Sequence, residues 1–379
     1  MRALPEFRWN HGSRPALSLS CRLGLFCFLG VFSAVKQPNQ RDPALDVVRA
    51  VAILMVVTIH TASSALYGAV GTARWWTALF WGSLVRPAVP LFFMCTGALF
   101  LPREISLKKL YGKNFLRIVL VMLFWATVAK LYRLWAAGFS AAGLWQAVQD
   151  VLLFRHESHF YYLHLLLLVY AFLPLLQSFV RGANRRSMIY ALSFWGVTGI
   201  LLPLLRYVPP FSLMYPLEGW YMLNMAYSSI GYVLLGHCMR QYAHRLPRWV
   251  WTLCLTVGAV CIFAGTGLLS LRAGTLVEIL LEGWSVCAML IAVGVFGLAV
   301  TAKGFRPLTV RLGESLSRAS LCIYLIHGLF LEVLERVGLT ANTFLPLISV
   351  PVIVLVTVAL NRLVYEVLRR IPVVRTWLV

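Results

Sequence analysis

Apolar residues in this chain come in continuous runs of about twenty, parted by short polar stretches, rather than in alternating ten-mers. A run of that length is what a helix needs to cross a bilayer core of ~30 Å, whereas barrel strands would alternate. Ten runs qualify, at approximately 45–67, 77–101, 115–138, 160–181, 187–206, 222–241, 249–270, 278–301, 318–337 and 344–368. The pattern predicts an all-α polytopic transmembrane helical bundle of about ten core spans.

Charge between the runs sets the orientation. One set of loops carries Lys36 and Arg41, Arg103, Lys108, Lys109 and Lys113, Arg181, Arg185 and Arg186, Arg240, Arg245 and Arg248, Lys303, Arg306 and Arg311, and Arg369, Arg370 and Arg375, which is 18 cations. The opposite loops and helix ends carry Arg74, Arg155, Arg206, Arg272 and Arg336, which is 5. Basic residues are retained in the cytoplasm, so both ends of the ten-helix core are expected there.

Composition excludes the soluble classes. Of 379 residues 60% are hydrophobic and 12% charged, with a mean hydropathy of +0.79. The net charge of +21 sits in clusters between spans, so the partner it predicts is a lipid bilayer and not nucleic acid. The eight cysteines lie in or beside apolar segments and form no CxxC pair, which suits small packing residues.

Residues 1–43 fit less simply. Leu23–Val35 is a thirteen-residue apolar run behind Arg14 and Arg22, as in a signal peptide. Cleavage after it would leave Lys36 and Arg41 outside, against the charge pattern. The segment is expected to be an N-terminal arm, interfacial or disordered, or a non-native extension. Residues 44–379 form one membrane domain.

Against this background the ionisable groups inside spans carry the information. Each costs at least ~2.5 kcal/mol in hydrocarbon, which makes it a functional candidate by default. Asp46, Arg49 and His60 share the first run, with Arg49 and His60 eleven residues, or ~16 Å, apart. That places a cation near the inner face and a titratable base in the outer half. His159, His327 and Arg86 come to a similar outer depth on other spans. Milder explanations serve elsewhere: Arg117 and His237 lie near inner helix ends, His164 can meet a neighbouring helix, and Glu278 and Glu282 can face water at an outer end.

These residues also carry a resemblance. Asp46-x-x-Arg49-x-x-Ala52 followed by His60 resembles the opening signature of the integral-membrane acyltransferase type 3 family. Arg86-Pro87-Ala88-Val89-Pro90-Leu91-Phe92-Phe93-Met94-Cys95-Thr96-Gly97 resembles its second helix, with Thr96 where Ser is usual. His159-Phe160-Tyr161-Tyr162-Leu163 and Ser317 through His327 resemble two later segments, in order. The third helix departs from the pattern: Asn114, beside Lys113, stands where many members have the first of two arginines, and Arg117 keeps the second.

The resemblance implies a bacterial inner-membrane enzyme that moves an acyl group, most often acetyl, from cytoplasmic acetyl-CoA to a hydroxyl. The acceptor would be a cell-surface glycan or its lipid-linked precursor. His60, with His327 as the fallback, would be the base, and Asp46 would orient Arg49. Arg49, Arg117, Lys113 and Arg86 would hold the donor, and His159, Tyr324 and Glu218 the acceptor. No metal is expected. A transporter or flippase of a polar metabolite also needs intramembrane Arg and His, but the two halves show no repeat. A non-catalytic sensory module on the same scaffold is the remaining alternative.

The orientation is checked by single cysteines at Thr72 and Ser106 in a cysteine-free background. An impermeant thiol reagent on intact cells should label position 72 and spare 106; the reverse pattern overturns the topology.

Overall fold

The computed structural model describes residues 41–379 apart from 206, 208, 209 and 215–218, so Glu218 and the arm up to residue 40 lie outside the described residues. No strand occurs among the described residues. The helices are α1 (Pro43–Leu66), α2 (Ala73–Val85), α3 (Ala88–Phe100), α4 (Leu107–Ala137), α5 (Ala141–Leu152), α6 (Ser158–Gly182), α7 (Arg185–Leu205), α8 (Met225–Tyr242), α9 (Arg248–Ala273), α10 (Val286–Val300), α11 (Pro307–Arg336), α12 (Pro346–Leu368) and α13 (Pro372–Trp377). Among the described residues eight stretches are long and apolar enough to cross a membrane, counting α2 and α3 together. The sixth and eighth expected spans are the shorter α8 and α10, of 18 and 15 residues.

The interruptions have covalent causes. Proline lacks an N–H and its ring crowds the carbonyl four residues back. Pro87 therefore breaks the second span, and Arg86 sits at the break with its Nε donating to the Gly82 carbonyl at 3.1 Å. Pro203 cannot bond to Gly199 inside α7, where the chain widens into a π turn over Gly196–Leu201. The Gly199 carbonyl accepts instead from Ser228 Oγ of α8 at 2.6 Å. The eighth expected span loses its first turns because Gly283 interrupts it and Ser285 caps the helix, its hydroxyl accepting from the Ala288 N–H at 3.1 Å. Residues 275–285 consequently cross the end of the bundle as turns.

Polar contacts sort the helix ends into two sets. On the basic face, Asp42 caps α1 and pairs with Arg240 of α8 at 2.5 Å, Glu104 pairs with Arg181, and Arg362 donates to Ser315 Oγ. On the far face, Tyr67 donates to Glu278 at 2.7 Å, Asn342 to the Ser64 carbonyl, and Arg133 pairs with Glu157 and Glu332. This alternation is the up-and-down threading that the hydropathy pattern predicts.

Small residues bring α3 and α8 into direct backbone contact. A Cβ at Gly97 would lie 1.7 Å from the Val233 carbonyl oxygen, and one at Gly236 2.1 Å from that of Met94. Close approach of this kind is how helices associate in lipid, where burial from water supplies no drive.

Gly236→Ala should therefore lower the thermal midpoint in detergent by an amount at the upper end of the ~1–3 kcal/mol typical of overpacking. Gly112→Ala, where a Cβ meets nothing within 4 Å, is the reference. Equal midpoints for the two variants overturn the crossing.

Candidate active site

Three helices bring three imidazoles together near the far face. The ring centroids of His60 (α1) and His327 (α11) are 5.0 Å apart, those of His159 (start of α6) and His327 4.8 Å, and those of His60 and His159 5.8 Å. His159 occupies a single 3₁₀ turn, Ser158–Phe160, and is held from α11: the Tyr324 hydroxyl donates to its main-chain oxygen. Gly328 leaves room for the ring, since a Cβ there would lie 3.3 Å from His159 Cε1.

The three differ in what they can do. His327 is fully buried, and its Nδ1 lies 2.7 Å from the Tyr324 carbonyl oxygen and 3.1 Å from that of Ile323. A carbonyl only accepts, so Nδ1 carries the proton and Nε2 presents a lone pair. That Nε2 is buried without a partner, as is His159 Nε2. His60 is the exposed member, and it opens onto a cavity of about 250 Å³. Among the described residues no group of His, Cys, Asp or Glu is arranged to hold a metal ion.

The cavity is walled by α1, α3, α6, α8 and the 275–285 crossing. Val56, Ile59, Pro90, Phe93 and Leu165 supply apolar surface, and His60, Arg86, Tyr161, Glu282 and Tyr324 polar groups. Arg86 thus lies beside the histidines rather than with the other cations predicted to bind a cofactor. Its charge is set against Glu278, Tyr67, Glu282 and Tyr161. Outside the spans, the hydrogen bond to the Glu278 carboxylate holds the Tyr67 phenol above its ordinary pKa.

A second polar region lies toward the basic face. Arg49 is half-buried, its Nε has no partner, and its charge reaches Cys95, Tyr162 and Tyr170. Arg117 reaches the same Tyr170, and its Nη2 donates to the Val379 main-chain oxygen at 2.5 Å. The two arginines, distant in sequence, thus both lie within electrostatic range of one phenol. Lys113 is exposed on the π turn Leu110–Phe115, one turn before Arg117. Asp46 accepts from Ser317 Oγ of α11 at 2.6 Å and lies fourteen residues from His60, about 21 Å along α1. It belongs with the basic-face region and not with the histidines.

Between the two regions stands a layer of rings. Tyr162 packs against Phe93 at 5.2 Å, Phe92 at 5.6 Å and Tyr324 at 5.3 Å between centroids.

The structure therefore gathers His60, His159, His327 and Arg86 on one side of this layer, with Tyr324 at its edge beside His159, and Asp46, Arg49 and Arg117 on the other. Glu282 is the residue that sequence reasoning assigned to water and that the fold turns toward the cavity. The signal was local: Gly283 and the capping Ser285 end the helix that would have carried it outward.

A family model described as an acyltransferase domain matches residues 42–366. No curated protein and no solved structure matches the chain.

Tyr324→Phe deletes the hydrogen bond that seats His159 and little volume. It should cost ~0.5–1.5 kcal/mol, read as a small drop in thermal midpoint with helix content unchanged. An unaltered midpoint would mean that the contact holds nothing.

Proposed function

The chain belongs to the integral-membrane acyltransferase type 3 family, and from that premise we propose that it transfers acetyl from cytoplasmic acetyl-CoA to a hydroxyl outside. The acceptor is a cell-surface glycan or its lipid-linked precursor, and the setting a bacterial inner membrane. The observation that carries this reading is the division of the polar interior: permanent cations on the basic face, titratable imidazoles in a cavity toward the far face, aromatic rings between.

On the basic face Arg49 and Arg117 suit the phosphates of the donor. Guanidinium pairs with phosphate through two parallel N–H bonds, and both arginines lie within electrostatic range of Tyr170. Lys113 adds a point charge at the same mouth. In the outer cavity His60 is the imidazole that an incoming hydroxyl can reach. Acting as general base, it takes the hydroxyl proton as the oxygen attacks the thioester carbonyl. The carbon–sulfur bond then breaks, and the proton passes to the departing thiolate, giving the ester and CoA. His327 and His159 pack their rings against His60 and restrict its ring. Arg86 supplies positive charge in the same cavity as the carbonyl oxygen becomes negative.

Purified wild type in proteoliposomes with acetyl-CoA inside and a glycan acceptor outside should transfer label to the acceptor. His60→Ala should lose transfer by the ~10²–10⁴-fold that a general base contributes, with acetyl-CoA affinity retained. Arg49→Lys should show the converse, weaker acetyl-CoA binding by calorimetry. Near-normal transfer by His60→Ala at equal protein level overturns its assignment as the base. Unchanged affinity in Arg49→Lys removes the donor site from this position.

A further inference from the structure

The helix α5, between the spans α4 and α6, lines neither polar region, and none of its residues is buried. The chain leaves α4 at Gly138, whose φ of 91° suits a residue without a Cβ. Ser140 then caps α5, its hydroxyl accepting from the Gly143 N–H at 3.0 Å. The new helix leans on the outer end of α4. A Cβ at Gly143 would lie 2.8 Å from Leu134 Cδ1, and Asp150 pairs with Lys130 at 3.0 Å.

At ~100° per residue, the half-buried Gly143, Ala147, Asp150 and Val151 share the side turned to α4. Leu144, Trp145, Val148 and Leu152 fill the arc on one flank, and Gln146 and Gln149 the arc on the other. The four apolar side chains are between 41% and 68% exposed. On α4 itself Leu120, Phe124, Leu131 and Trp135 form an exposed stripe along the span. Lys130 and Leu134, where α5 packs, lie about a quarter turn from that stripe and leave it open. Beyond α5, Phe154 takes the left-handed conformation (φ 57°), and the Phe154 and Arg155 N–H groups close on the Val151 and Asp150 carbonyls at 3.3 and 2.8 Å. Glycine is usual at that position, so an exposed aromatic ring is held there at a conformational cost.

We infer that α5 is an interfacial helix that lies in the far-face leaflet, its apolar arc against the acyl chains and its glutamine arc against water. The exposed stripe of the spanning α4 faces lipid, and it continues in sequence through the exposed Phe139 into the apolar arc of α5. Trp135, Phe139 and Trp145 stand where the span ends, the level at which aromatic rings border a bilayer. The partner is the apolar part of the lipid and not a charged headgroup. Asp150 is the only charged residue of α5 and is paired with Lys130, whereas helices drawn to anionic membranes carry many Lys and Arg. Seated in this way, α5 fixes from the lipid side the loop that continues to the His159 turn.

The test uses the full chain in lipid nanodiscs, cysteine-free except for one nitroxide-labelled site: Leu144→Cys, Val148→Cys, Gln146→Cys or Gln149→Cys. Collision rates with oxygen and with a water-soluble nickel chelate should place the labels at 144 and 148 ~5–10 Å deeper than those at 146 and 149. The difference should be the same in phosphatidylcholine alone and in phosphatidylcholine mixed with phosphatidylglycerol. Equal depths for the two arcs, or a difference that needs phosphatidylglycerol, overturn the proposal. Dipolar broadening between copies labelled at 148 also overturns it, since a second copy of the chain would then cover the arc. The wild-type chain serves if a labelled variant does not fold. In nanodiscs of a phosphatidylcholine with a diazirine in its acyl chain, illumination should crosslink lipid to residues 144–152, and a segment left unmodified there overturns the assignment.

Discussion

An ionisable side chain inside a membrane span must have a partner or an aqueous cavity, and this bundle is organised around that requirement. Left in hydrocarbon, each such group costs ~2.5–3.5 kcal/mol or more. Asp46 of α1 meets the requirement through Ser317 of α11, and His327 through carbonyls of its own helix. His60 and Arg86 meet it through a shared cavity. Arg86 needs more than space: Pro87 ends α2 beneath it, so its guanidinium leaves the helix at a break rather than from a packed face. The cavity is thus the least costly solution to placing a cation and three imidazoles at one depth.

A backbone contact borders the cavity. α3 and α8 touch where Gly97 faces Val233 and Gly236 faces Met94. Both helices run from the far face toward the basic face, and this contact lies midway along them, just below the cavity that Phe93 and Tyr232 line. Toward their far-face ends they line the cavity, α3 with Val89 and Pro90 and α8 with Met225, Ser228 and Ser229. Helices in contact at mid-length that cross at an angle diverge toward their ends. Ser228 in turn serves the neighbouring helix, taking the Gly199 carbonyl that Pro203 leaves without its usual donor. The site therefore depends on glycines and prolines that never touch it.

Much of this could be read from the sequence, and the residues show why. Long apolar runs report helices directly, so the bundle and its threading were legible. His60, His159 and His327 were legible as a group because a helix rises evenly, and depth in a membrane can be counted in residues. Arg86 was placed at the right depth but given the wrong company, since counting yields depth and not which neighbour a side chain faces. The tie of Asp46 to Ser317 was not legible, because it joins helices far apart in sequence. Glu282 was missed for a different reason. Hydropathy extends a helix through residues 278–285, whereas Gly283 and Ser285 end it, and local turn chemistry decides the matter over average polarity.

The ring layer bears on how the two regions can work together. Under the proposed reaction the acyl arm has to pass from the arginines to His60, and Tyr162, Phe92, Phe93 and Tyr324 stand in that path. A barrier of ion pairs would hold itself shut, because each partner parted from the other in hydrocarbon pays the full cost of an unpaired charge. Aromatic contacts are worth only ~0.5–1.5 kcal/mol apiece beyond their buried area, and rings part without leaving a charge unpaired. A layer of this kind blocks water and ions while yielding to a bound chain.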